Sequence, residues 1–180
     1  VAITASDLLF KLSVKTGSAG NSTAQGDPNQ SLGKYISTTA LTTSLNGLFD
    51  NISGAENAAS TVDYRCVFIH NNHGSLTYQN AVVYMSAEVS GGANVAIATD
   101  NIASSAVGSA SAQAAEIANE TTAPSGVSAF SSPTTAGAGL SLGSIAAGSC
   151  KAVWVRRTAA NSAALDADGF TLAISGDTSA

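Results

Sequence analysis

The stretch DYRCVFIHNNHGSLTYQNAVVYM, residues 63 to 85, contains both histidines of the chain, His70 and His73, together with Cys66 and Asp63. Imidazole, thiolate and carboxylate are ordinary transition-metal ligands, so the spacing raises the question of a metal site. A structural zinc site needs four such ligands in paired spacings, and a catalytic one needs three. His70-x-x-His73 is the one pair here, and the other cysteine, Cys150, lies far downstream. Asn71-Asn72-His73-Gly74 is turn chemistry. The pair is therefore expected to end a strand and enter the turn of a β-hairpin, with no metal and no cofactor. Cys66 and Cys150 both fall in strand-like runs and are expected as buried free thiols.

Other candidate constellations are weaker. Asp166 and Asp168 in LDADG resemble a fragment of a calcium loop, but Phe170 and a strand follow where further oxygen ligands belong, so a polar turn is expected. Serines are plentiful, but none sits in a Gly-x-Ser-x-Gly elbow between a strand and a helix, and two histidines leave few bases for nucleophilic catalysis. With one Trp, four Tyr and five Phe, a broad sugar-binding platform is not expected. Asn21, Asn51 and Asn119 match the Asn-x-Ser/Thr pattern, which arises by chance in a Ser- and Thr-rich chain. No catalytic set assembles, and the chain is not expected to be an enzyme.

Composition narrows the classes further. Charged residues make up 11% of the 180 positions, against roughly 25% in an average soluble domain. The surface must then be built largely from Ser, Thr, Asn, Gly and Ala, which cost less to desolvate than ions and suit a chain packed against neighbours. A net charge of −5, with no basic run, argues against nucleic acid. No apolar stretch approaches a membrane span. The opening VAITASDLLF has no charged n-region of a signal peptide and fits a chain made in the cytoplasm.

Period-two alternation supplies the elements that position these residues. Leu8, Phe10, Leu12 and Val14 alternate with Lys11, Ser13 and Lys15, which predicts a half-buried strand. Residues 17 to 34, GSAGNSTAQGDPNQSLGK, exceed a normal loop and are expected as an extended arm or long surface loop. Residues 35 to 60 suggest a strand entering a turn. Strands follow over 63–71, 75–89 and 93–99. Residues 103 to 120 have some helical propensity, interrupted by Gly108 and serines, and predict an irregular excursion with at most a short helix. CKAVWVRRT and GFTLAISGD are the last two strands. The expected fold is all-β, an antiparallel β-sandwich or jelly-roll-like single domain, with residues 1–60 forming the first strand, arm and connection and 61–180 the main sandwich.

The linked phrases YRCVFIHNNHGSLTYQNAVVYMSAE, AEIANETTAPSGV, IAAGSCKAVWVRRTAANSAA and DGFTLAISGDT resemble small virion structural proteins of tailed bacteriophages, most nearly head decoration (cement) proteins. The resemblance covers roughly residues 60 to 178. It implies a homo-oligomer, with a trimer favoured, bound to the major capsid protein on the outer surface of the head and made in the bacterial host cytoplasm. A neck, tail or fibre-base role is the alternative, and a receptor- or sugar-binding module a more distant one. In that setting Asp27, Pro28, Asn29, Leu32, Lys34 and Tyr35 of the arm are the expected partner contacts. One of Arg156 and Arg157 is expected to face solvent or a partner.

Overall fold

In the computed structural model, residues 2–17 and 22–178 are described; part of the expected arm and the Asn21 sequon lie outside them. The described residues form two antiparallel sheets. The larger contains β1 (Leu8–Val14), β2 (Tyr35–Ala40), β3 (Val62–Asn71), β5 (Asn94–Thr99), the two-residue β6 (Ser105–Ala106) and β8 (Ser149–Thr158). Its order is β2-β1-β3-β8-β5, with β6 also on β8, and it curls into a half-barrel. The smaller sheet orders β7 (Leu140–Ile145), β4 (Tyr78–Glu88) and β9 (Phe170–Thr178) as β7-β4-β9. The expected all-β two-sheet architecture is the one observed.

The β3–β8 ladder runs unbroken from Val62 opposite Thr158 to His70 opposite Cys150. Alternation along it serves two cores rather than a core and solvent. Val67, Ile69, Val153 and Val155 face the smaller sheet and pack with Val83, Met85, Ile97 and Ile145. Cys66, Phe68, Ala152 and Trp154 face the opposite way and pack with Leu32, Ile36, Ala114 and Ile117. Burial on both faces explains why these strands contain near-continuous apolar runs. It also corrects the half-buried expectation for β1: Ser13 is fully enclosed and Lys11 is 9% exposed, because the chain at 31–36 lies over the face expected to meet water.

The second layer on that face has little regular structure. The two segments that form it pair weakly with each other: Gly33 bridges Glu116, the Lys34 amide donates to the Ala115 carbonyl, and the Ile117 amide to that of Leu32. Side chains complete the hydrogen bonding. The buried Asp100 carboxylate accepts from Trp154 Nε1 (2.9 Å) and the Ala115 amide (2.8 Å) through Oδ2, and from the Ile102 amide (2.9 Å) through Oδ1. Gln113, also buried, accepts from the Ile36 amide and donates to the Ala106 carbonyl. Residues 103–120 thus form turns plus β6 and no helix. Their amides are used against neighbouring chain, which outweighs alanine's modest helix preference.

Two expectations fail for tertiary reasons. Residues 71–77 do not turn a hairpin: β3 pairs with β1 and β8, whereas β4 pairs with β7 and β9, so this connection carries the chain from one sheet to the other. The α-helix of the chain's described part, α1 (Gly54–Ala59), falls where only a strand and turn were expected. Its signal is a capping box: Ser53 Oγ accepts from the Glu56 amide, and Glu56 accepts from the Ser53 amide at 2.7 Å.

Gly33 has φ +93°, and a Cβ there would stand 1.8 Å from the Ala115 carbonyl oxygen and 3.0 Å from the Trp154 ring. Left-handed backbone and a backbone clash act together. Gly33→Ala is expected to destabilise the domain by about 2–4 kcal/mol, read as a lowered urea midpoint. An unchanged midpoint would mean that the 31–36 layer is not held as described.

Candidate partner-binding cleft

The expected contact residues separate into distinct places. Asp27, Asn29 and Leu32 line one shallow cleft of about 340 Å³ with Gln30, Asp50, Ala118, Asn119 and Glu120. Pro28 begins the 3-10 turn Pro28–Gln30 at its rim, a turn capped by Asp27 Oδ1 accepting from the Asn29 amide at 2.9 Å. Lys34 pairs with Glu116 at 3.2 Å, and Tyr35 Oη donates to the Ala110 carbonyl. The described part of the arm, 22–34, is therefore a surface loop strapped to the domain. Ser31 Oγ donates to the Cys66 carbonyl at 2.6 Å and accepts from the Ser13 amide at 2.8 Å. Leu32, expected as an external foothold, is 2% exposed and belongs to the second core.

Two arginines lie behind the cleft. Arg65 projects from β3 and Arg157 from β8, on the face shared with Val67 and Val155, and both guanidiniums lie over the Phe49 ring at 5.1 and 4.7 Å. Arg65, with no exposed surface, donates to the carbonyl of Leu48, to Asn29 Oδ1 (2.9 Å) and to Glu120. Arg157 donates to Asp63 Oδ2 at 2.7 Å, to Asp50 Oδ1 at 3.2 Å and to the Asp50 carbonyl. Planar guanidinium forks can serve several acceptors at once and stack on an aromatic ring. Three loops (27–30, 48–50 and 118–120) are thereby held to the strand ends. Arg157 is thus unavailable to a partner. Its neighbour Arg156 is half-buried, with its guanidinium over Phe130 at 5.1 Å on the opposite face of the sheet.

The cleft is rich in acceptors: Asp27, Asp50 and Glu120 contribute carboxylates, and Asn29, Gln30 and Asn119 contribute carboxamides. Arg65 pairs with Glu120 from within, and Arg157 is shared between Asp50 and the buried Asp63. Such a surface suits hydrogen-bond donors. Sequence patterns missed Asp50, Asn119 and Glu120 because their loops meet 27–30 only through Arg65 and Arg157.

The histidines do not converge with metal ligands. His70 is 3% exposed, and its Nδ1 has no hydrogen-bond partner. Burial, then the nearby Lys11 ammonium, lowers its pKa to about 4. His73 uses Nδ1 to accept from the Ser75 and Leu76 amides (3.1 and 3.0 Å), a turn-capping role. Asp63 lies seven residues from His70 along β3, about 23 Å away, and pairs with Arg157. Among the described residues no three His, Cys, Asp or Glu side chains group as metal ligands. Cys66 and Cys150 are free and buried. Cys66 stands opposite Trp154 and Cys150 opposite His70, which separates the thiols by four ladder positions, about 13 Å and beyond disulfide reach. Asp168, from the calcium-like fragment, instead accepts from the Ala93 amide at 2.7 Å.

Two outcomes check this geometry. Arg157→Ala leaves the buried Asp63 carboxylate without its counter-ion, and a loss of about 3–5 kcal/mol is expected. The double change Asp63→Leu with Arg157→Met should recover much of it, as a double-mutant cycle in denaturant would show. His70 has its pKa depressed on folding, so the folded state binds fewer protons. Its contribution is constant above pH 6.5, and stability falls as pH drops from 6.5 toward 4. His70→Gln should flatten that part of the stability–pH curve by up to about 3 kcal/mol; an unaltered slope would show that His70 is not held neutral.

Comparison with protein-family models, with curated proteins and with solved structures finds no match to this chain.

Proposed function

We propose that the chain is a bacteriophage virion structural protein, a capsid decoration or cement protein that binds the major capsid protein across subunit junctions on the outer surface of the expanded head. The observation that carries this reading is a domain whose buried ions serve as braces. Arg65, Arg157 and Asp100 hold loops to strands, and Asp63 pairs with Arg157 across the ladder, leaving a firmly held contact surface on a chain with few charges overall. The phage-protein resemblance of residues 60–178 supports the same assignment.

The mechanism is mechanical. A head under internal pressure from packaged DNA fails where subunits separate, and a clamp seated on two of them raises the cost of separation. Individually weak contacts suffice when symmetry repeats them. The cleft bounded by Asp27, Asn29, Asp50 and Glu120 is the proposed contact, taking Lys, Arg or amide donors from the capsid subunit. Its loops are already fixed, so little ordering entropy is lost on docking.

The test is a count. Purified protein is titrated onto expanded heads lacking it, and bound copies are measured by mass spectrometry. On the order of hundreds of copies, saturating at a ratio set by capsid symmetry, are expected. About a dozen or fewer would place the chain at the portal vertex, neck or tail instead. Asp27→Asn keeps the turn cap and removes the charge; a several-fold weaker, less salt-sensitive attachment is expected, and unchanged binding would exclude the cleft as the contact.

A further inference from the structure

Strand edges differ in how the chain treats them. The outer side of β2 receives the 23–25 segment: the Thr38 amide donates to the Thr23 carbonyl, and the Gln25 amide to Thr39 Oγ1. The outer side of β5 is covered by residues 128–132, with Ile97 and Ser131 exchanging backbone hydrogen bonds and Ser132 Oγ reaching the Val95 carbonyl. β7 is tied at Ser144 by Ser104. β9 is different. Its strand partner is β4, and among the described residues no loop donates to or accepts from the backbone on its other side.

β9, FTLAISGDT, also lacks the usual protections of an open edge. It contains no Lys, no Pro and one charge, Asp177, near its end. Phe170, Leu172 and Ile174 point toward the first core yet remain only partly buried. Thr171, Ala173 and Ser175 alternate with them on the outer face. A nine-residue strand of this kind spans about 30 Å, which is a template for another strand.

We infer that β9 pairs antiparallel with β9 of a second copy of this chain, joining the two small sheets into one six-stranded sheet, β7-β4-β9-β9-β4-β7. The strand's own sequence accommodates this occupant. With the two-fold axis at Ile174, that side chain meets its copy. Leu172 then stands opposite Gly176, Phe170 opposite Thr178, Ala173 opposite Ser175 and Thr171 opposite Asp177. No like charges oppose each other, and the two Asp177 carboxylates lie six positions apart, about 20 Å. Apolar side chains stay on the core side of both strands, so the pairing extends the existing alternation without a register conflict. The contact is isologous, as a two-fold dimer requires. It stands whether or not the chain decorates a capsid.

Sedimentation equilibrium of the full chain is expected to give a species of twice the 17.7 kDa chain mass. In the axis-centred register, Ala173→Glu with Ser175→Glu puts like charges opposite each other twice, as does Ala173→Lys with Ser175→Lys. Each double variant alone should weaken the dimer at least tenfold, and mixing the acidic with the basic one should restore it as a heterodimer. Circular dichroism and thermal melting of each variant separate loss of pairing from loss of fold. A monomeric wild-type chain at high micromolar concentration would overturn the pairing, even if heads captured it through β9. So would a dimer indifferent to both double variants, or variants that stay folded but do not recombine on mixing.

Discussion

Strands β3 and β8 are enclosed on both faces, and the rest of the molecule follows from that constraint. A sheet covered on one side by another sheet needs only alternation. A sheet covered on both sides needs a second apolar layer, and this chain builds it from irregular segments around 31–36 and 100–131. Irregular backbone brought out of water must still place its amides and carbonyls. That requirement accounts for the buried polar residues in what would otherwise be an aliphatic interior. Asp100, Gln113, Ser13 and Ser31 supply acceptors and donors that a helix or strand would have supplied from its own backbone.

The same requirement appears at the end of the sandwich that faces the smaller sheet. Arg65 and Arg157 occupy positions where aliphatic side chains would continue the core, and they bring two cations into it. Removing such ions from water is costly unless each is paired and hydrogen-bonded. Phe49, Asp63, Asp50, Glu120 and the loop carbonyls meet that condition, so loops distant in sequence converge on one spot. The cleft is the outer surface of this brace. Its shape is therefore coupled to core integrity, and the arginines position the polar side chains that line it. The unfilled polar capacity at His70 belongs to the other face of the ladder, where a neutral imidazole fills space beside Lys11 and Cys150.

Lys11, Asp63, Arg65, Asp100, Lys151 and Arg157 are buried, and the loops at 22–34 and 48–50 are strapped to the strands. One edge, β9, is left without a strand on its outer side. Rigid loops favour repeated weak contacts, because docking then orders little new chain.

The alternation in residues 8–14, 62–71, 94–99, 149–158 and 170–178 was enough to identify strands and an all-β class, since side-chain period is a local property. The buried state of Cys66 and Cys150 was legible for the same reason. The capping box at Ser53 and Glu56 was equally local and was overlooked in favour of a strand reading. Sheet membership was not local: NNHG has hairpin chemistry, but which sheet β4 joins depends on its pairing with β7 and β9 far along the chain. The surface loop at 22–34 and the alanine-rich 103–120 segment likewise carry no periodic signal for their contacts. Sequence by itself determined the strands, the low charge and the thiol environment, because these rest on neighbouring residues. Tertiary structure alone decided the second core, the inward arginines and the cleft, because each depends on which distant backbone groups must be satisfied once water is gone.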